Sequence, residues 1–311
     1  LNLSIDHQWA VLELGMNHPG EIKRLGEICS PDIGVITNIG PAHLEGLGSL
    51  DAVMHAKGEL LEEIKPDGTA VLNADDPKLL HLAHSISRKV LFYGRSKNAR
   101  IRALSVKGTE TGLSFDLVLP EERVTVDLKT PAVFMISNAL AAAAVGYLLG
   151  LTAGEIKDGL EDFKPVKGRM NILKTDKGIT IIDDTYNANP DSMKAAIDTL
   201  RSLKENHRGI LVAGDMLELG DHAESMHRNI GRIAAGSNIS NLYVTGQFSE
   251  TVASGAMDQD MSPRDIFTGT KEEILEGIKD RLGPGDWVLV KGSRGMTMET
   301  IVQGLLDWAD Q

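Results

Sequence analysis

Cysteine is all but missing. Cys29 is the single thiol in 311 residues, so no internal disulfide can form, and a reducing compartment fits. A lone thiol following Ile28 reads as a helix-end packing residue rather than a nucleophile. Cations are also short: 32 Lys and Arg face 44 Asp and Glu, for a net charge of -12. That balance excludes a general nucleic-acid surface, which needs clustered cations, while a local cluster still leaves an anionic small ligand open. No apolar run reaches the roughly 18 residues of a membrane span. Residues 138–151 (NALAAAAVGYLLGL) come nearest and read as a buried helix. No basic stretch followed by an apolar one opens the chain, so no export signal is visible and a cytoplasmic location is expected.

What is present is globular: 42% hydrophobic and 24% charged residues exclude disorder, and the length suggests two domains with separate cores. Repeats and low-complexity tracts are absent from the sequence. The first part alternates strands and helices. Residues 10–14, 33–38 and 69–73 are short apolar runs. Residues 21–29 and 49–64 have helical spacing, which together is a βαβ pattern and implies a parallel sheet. From 100 to 129 the period becomes two, as in LSFDLVL and RVTVDL, and antiparallel strands are expected to extend the sheet. The Ala-rich helix follows, then a helix over 152–163 with Thr152 and Glu155 as a capping box. KPVKGR, at 164–169, interrupts the pattern and marks the expected boundary between domains 1–167 and 168–311. Beyond it, strands at 179–183, 209–213, 241–245, 265–268 and 287–291 alternate with helices, a small doubly wound α/β domain.

In such sheets the ligand crevice lies past the carboxyl ends of the strands. Glu13, Asn38 and His43 follow apolar runs there, and Lys57 lies on the helix that comes next. Glu13 and His43 are therefore candidates for one polar site, although Lys57 alone reads as a solvated helix lysine. In the second part, IIDDTYNANPDSM sets Asp183, Asp184, Tyr186, Asn187 and Asn189 before a helix starting near Pro190. Capping explains one such residue, and a ligand loop better explains five. VAGDMLELG places Asp215 and Glu218 after a strand, where a solvated loop is an equal alternative. VLVKGSRGMTME places Lys291, Ser293 and Arg294 before a helix, a setting that suits an anion but also a plain βα turn.

ELGMNHPGEI, TNIGPAHLEGLGS, HAKGEL, NALAAA, DDTYNANP, GDMLELG and KGSRGMTME, in this order, resemble the Mur ligases of bacterial cell-wall synthesis across essentially the whole chain. The resemblance implies the later part of a central ATPase domain followed by a C-terminal Rossmann-like domain. The implied activity is amide-bond formation through an acyl phosphate, joining D-alanyl-D-alanine to a UDP-N-acetylmuramoyl-tripeptide with ATP and Mg²⁺, in a monomer. It implies metal ligation by Glu13, His43 and a carbamylated Lys57, with Lys57, His43 and Asn38 at the chemistry. Nucleotide binding is implied for Asn138, Arg169, Asp184, Tyr186, Asn187 and Asn189. Asp215, Glu218, Lys291, Ser293 and Arg294 are implied to face the dipeptide. The family's Gly-rich loop ending in Gly-Lys-Thr does not occur in this sequence. Residues upstream of Leu1 and no catalysis by this chain alone are therefore expected. Ala132 stands where the family usually has Gly. Two alternatives remain: a sister ligase adding a diamino acid, against which the absence of Asp-Asn-Pro-Arg counts, and a non-catalytic nucleotide-binding or interaction module. His7, His81, His84, His207, His222 and His227 show no ligand spacing, and most of them are expected at the surface or at caps, while His18 and His55, near the site in sequence, read as packing or supporting residues.

Overall fold

Short apolar runs build the first sheet. β1 (Ile33–Ile36), β2 (Thr69–Asn73), β3 (Lys89–Gly94) and β4 (Ile101–Gly108) pair in parallel, and β5 (Leu113–Val118) and β6 (Arg123–Leu128) extend them antiparallel, so sheet order equals chain order. The computed structural model describes residues 3–109 and 112–310. Every second side chain of β5, namely Leu113, Phe115 and Leu117, is buried, as a half-covered strand requires. One face of the sheet is covered by helices α1 (Glu21–Cys29), α3 (Leu50–Glu63) and α4 (Pro77–Ala83), through Ile22, Val53, Leu61 and Leu79. The other carries α5 (Met135–Leu148) and α6 (Ala153–Glu161), through Ile136, Leu140 and Ile156. The expected capping box at Thr152 and Glu155 is formed.

The second sheet has the order β11-β10-β9-β12-β8-β7. Its strands are β7 (Asn171–Lys174), β8 (Thr180–Asp184), β9 (Gly209–Ala213), β10 (Asn241–Val244), β11 (Ile266–Thr268) and β12 (Trp287–Lys291), all parallel except the edge strand β7. Ile182, Leu211, Leu242 and Leu289 face helices α7 (Pro190–Leu203), α8 (Ala223–Gly236) and α9 (Ser249–Met257), while Ile181, Ile210, Tyr243 and Val288 face α10 (Lys271–Lys279) and α11 (Glu299–Ala309). Helices α8 and α9 touch backbone to backbone. A Cβ on Gly231 would lie 1.9 Å from Val252 O, and one on Gly255 1.9 Å from Arg228 O.

Residues 10–14 correct an expectation. They form no strand, Val11 is 94% exposed, and among the described residues nothing pairs with them. An apolar run becomes a strand only when a neighbouring backbone receives its hydrogen bonds. β3, β7 and the short α2 (Leu44–Leu47) were not anticipated, and α5 starts three residues before Asn138. Residues 162–170 contain neither helix nor strand, and we propose the domain boundary there, as 1–167 and 168–311. Among the described residues no helix is long and apolar enough to cross a membrane.

Candidate active site between the two sheets

The chain leaving β1 is held from below by a buried polar set. Thr37 O accepts from Asn73 Nδ2 at 3.1 Å and from Tyr93 Oη at 3.4 Å, and Asn73 Nδ2 also reaches Ser137 Oγ at 3.3 Å. Burial pushes the Tyr93 phenol far up, which keeps it a donor. Asp76, the N-cap of α4, accepts from Ile39 N at 2.7 Å. Exposed Asn38 is thereby fixed at the rim, and its carbonyl accepts from Lys57 Nζ at 2.8 Å. Desolvation pulls the Lys57 amine below the ordinary lysine range, against the opposing pull of the Asp76 charge.

His43 sits in the left-handed region (φ 57°) at the start of α2. Its Nδ1 lies 2.7 Å from Glu218 Oε2, but the atom is buried and makes no hydrogen bond of acceptable geometry. The ring nitrogen therefore stays unsatisfied beside the carboxylate.

On the second sheet, the loops leaving adjacent β9, β12 and β8 are knit together. Lys291 Nζ donates to Asp184 Oδ2 at 2.6 Å and to Asn187 O at 2.8 Å, and Asp184 Oδ1 accepts from Met170 N at 3.1 Å. Ser293 Oγ accepts from Leu217 N at 2.8 Å and donates to Ala188 O at 3.1 Å. Asn187 Oδ1 receives Ala188 N at 2.9 Å and Arg294 N at 3.4 Å. Asn189 forms a capping box with Ser192 at the start of α7. Asp215 is buried and accepts from Gln247 N at 2.7 Å and Phe248 N at 3.1 Å. The incoming chain is zipped on as well: Tyr186 N donates to Gly168 O at 2.9 Å, and the Arg169 guanidinium lies 4.2 Å over the Tyr186 ring.

The two carboxyl edges meet. Glu45 N donates to Glu218 O at 3.1 Å beside the His43 contact. Asp191, at the start of α7, comes up against Gly40, where a Cβ would lie 2.7 Å from its Oδ2. Enclosure between the halves, with the Asp76 charge facing it, pushes the Asp191 carboxyl up although Lys194 opposes this.

Asn38, His43 and Lys57 thus belong to one rim and Arg169, Asp184, Tyr186, Asn187, Asn189, Asp215, Glu218, Lys291, Ser293 and Arg294 to the facing one. Asn138 lies exposed on α5, one turn from half-exposed Phe134. Glu13 is exposed on the unpaired segment. Among the described residues no three of His, Cys, Asp and Glu cluster as metal ligands. Magnesium is nonetheless compatible with the donors, because it keeps several waters and takes few protein oxygens, and the His43 nitrogen wants a partner. His227 is not among the histidines at the surface or at a cap. It is 1% exposed and bonded at both ring nitrogens. Its spacing from Ile230, Gly231 and Ala234 already placed it on the buried stripe of α8.

Residues 2–146 match the family model of the Mur ligase middle domain and residues 168–294 that of the Mur ligase glutamate ligase domain. The chain is 36% identical over 298 residues to the UDP-N-acetylmuramoyl-tripeptide--D-alanyl-D-alanine ligase of Bacillus subtilis (strain 168), covering 96% of this chain and 64% of that protein. It resembles a crystal structure of MurF from Acinetobacter baumannii (TM-score 0.90, 32% identity, 98% of this chain and 66% of that one). It also resembles the MurF ligase of Thermotoga maritima in complex with ADP (TM-score 0.83, 27% identity, 94% and 66%).

Proposed function

The chain belongs to the Mur ligase family, and we propose that it supplies the nucleotide and amine sides of an ATP-dependent ligase joining D-alanyl-D-alanine to a UDP-N-acetylmuramoyl-tripeptide. The observation that carries this reading is the junction itself, where loops leaving β1, β8 and β9 of two separate sheets converge through His43, Gly40, Asp191 and Glu218. Amide formation needs two reactants brought together and water kept away, and a junction between two domains is suited to both.

A tripeptide carboxylate oxygen attacks the γ-phosphorus of ATP, ADP leaves, and an acyl phosphate results. The dipeptide amine then attacks the carbonyl carbon. Collapse expels phosphate, and the nitrogen gives up a proton. Asn138 with Phe134 offers an edge and a face for adenine, and Arg169, braced on Tyr186, a cation for phosphate. Asp184, Asn189, Asp215, Lys291 and Ser293 act by shaping the loops, since their polar atoms are committed to them. Asn187, Glu218 and Arg294 present exposed groups to the dipeptide, an acceptor for its ammonium and a cation for its carboxylate. Mg²⁺ would be held by Glu13 and His43 and would neutralise phosphoryl oxygens. Lys57 as an ammonium would repel it. Burial favours the neutral amine, which CO₂ converts to an anionic carbamate. A cytoplasmic monomer belongs to the same proposal.

The chain spans 64% of the length of its B. subtilis relative, so the assay runs on two forms. Phosphate release is measured with ATP, Mg²⁺ and UDP-N-acetylmuramoyl-tripeptide, with and without D-alanyl-D-alanine. One form is the 311-residue chain, and the other carries any coding sequence preceding Leu1. Dipeptide-dependent release is expected from the longer form. Its absence from both folded forms would leave a nucleotide-binding module as the reading.

A further inference from the structure

The loop from Gly214 to Leu219 carries Glu218 to the junction, yet it contains no helix or strand to hold it. Its Met216 is 1% exposed, so the Met216 amide needs a partner inside the protein. His227 Nε2 accepts that N–H at 2.9 Å, while Nδ1 lies 2.7 Å from the Ala223 carbonyl. One neighbour only donates and the other only accepts, which fixes the neutral Nδ1–H tautomer. The ring is stacked on Phe248 at 4.4 Å. Asp215 Oδ1, 3.9 Å from Nε2, is the charged group facing it, and it is already taken by the Gln247 and Phe248 amides. Arg228 and Arg232 on the same helix turn away to Asp258.

We infer that His227 is a positioning residue of the junction, holding the loop after β9 at the height where Glu218 meets His43 and Glu45. One residue, Leu217, separates the held amide from Glu218, whose left-handed backbone (φ 64°) aims its carbonyl at Glu45 N. Freeing Met216 N–H removes one of the two successive anchors before that turn and leaves Leu217 N on Ser293 Oγ to hold it alone. Burial lowers the imidazole pKa and keeps the acceptor lone pair available at neutral pH. The consequence for catalysis rests on the ligase reading, whereas the position of the loop does not.

The test is amide hydrogen exchange by NMR on the 311-residue chain, with Ile181 in β8 as a control for global opening. His227→Phe keeps the stacking and removes the acceptor, and His227→Gln returns a carbonyl oxygen near the Nε2 position. Loss of one hydrogen bond allows about tenfold faster exchange, expected at Met216 and across the junction at Glu45 in His227→Phe, with recovery in His227→Gln. A folded His227→Phe chain with wild-type exchange at Glu45 overturns the inference, as does equal loss in both variants. Should His227→Phe not fold, the unmodified chain decides. As pH is lowered from neutral, protection at Met216 and Glu45, corrected for intrinsic rates, must fall together and before that of Ile181, and loss at Met216 with Glu45 unchanged overturns it. Absence of dipeptide-dependent phosphate release would remove the ligase reading and leave the exchange result standing, so the two failures are distinguishable.

Discussion

Replacing Lys291 by Met tests whether the facing rim depends on a buried charge pair. Lys291 is 3% exposed and Asp184 8%, their contact is 2.6 Å, and the ammonium also ties down Asn187 O. Met keeps most of the stem volume, so little cavity forms. What is lost is the counter-charge, leaving Asp184 with the Met170 amide as its remaining partner. Stranding one member of a buried pair costs about 3–5 kcal/mol, far more than a surface bridge. Trp287 and Trp308 both belong to the second domain and report its unfolding in urea. At a slope of about 2 kcal/mol per M the midpoint should fall by roughly 2 M. Adding Asp184→Asn removes the stranded charge, keeps an acceptor for Met170 N, and should recover most of that loss. A shift below about 0.5 M for the single variant, or a double variant less stable than the single, would refute the reasoning.

Gly231→Ala drives a methyl into the Val252 carbonyl and should lower the melting temperature of the second domain by about 5–10 °C, read by calorimetry. Under ¹³CO₂, a carbamate carbon resonance should appear, grow from about pH 7 to pH 9 as the amine loses its proton, and vanish in Lys57→Gln. Lack of signal at the upper pH counts against carbamylation. His227 has its folded pKa below the unfolded value of about 6.5. Its contribution is therefore complete above that value and is lost as pH falls through the window beneath it, because the unfolded chain takes up the proton first. His227→Gln should flatten that part of the urea-midpoint profile.

Much of the fold was legible because its rules are local. The alternation in LSFDLVL gave β5, and Thr152 with Glu155 gave the start of α6. The alternating βα pattern gave the parallel order of the second domain. Residues 10–14 show where locality ends: AVLEL has the composition of a strand, but a strand is a relation between two backbones, and composition holds only one of them. β7 was missed for the opposite reason. NILK is short and only partly buried, and its pairing with β8 comes from the chain doubling back at Thr175–Gly178.

The site was legible as a set of places and less so as a set of roles. Strand ends predict which loops meet, and the structure does bring the loops after β1, β8 and β9 together. Charge in a sequence does not say whether a side chain is free or committed, because commitment depends on a partner far away in the chain. Lys291 and Asp184, 107 residues apart, neutralise each other in the interior, whereas Arg294, three residues from Lys291, pairs with Glu299 at 3.0 Å and keeps its guanidinium exposed. Asp215 reads in GDMLELG as a carboxylate available to a ligand, but it is consumed by two amides from the next loop. Glu218, in the same motif, remains open because a left-handed turn lifts it from the packed loop to the rim. His227 gave no chemical signal at all, since a histidine that acts by accepting one amide looks in sequence like any polar residue on a helix. The physical distinction is therefore between groups that bind the fold and groups left over to bind something else, and burial decides it.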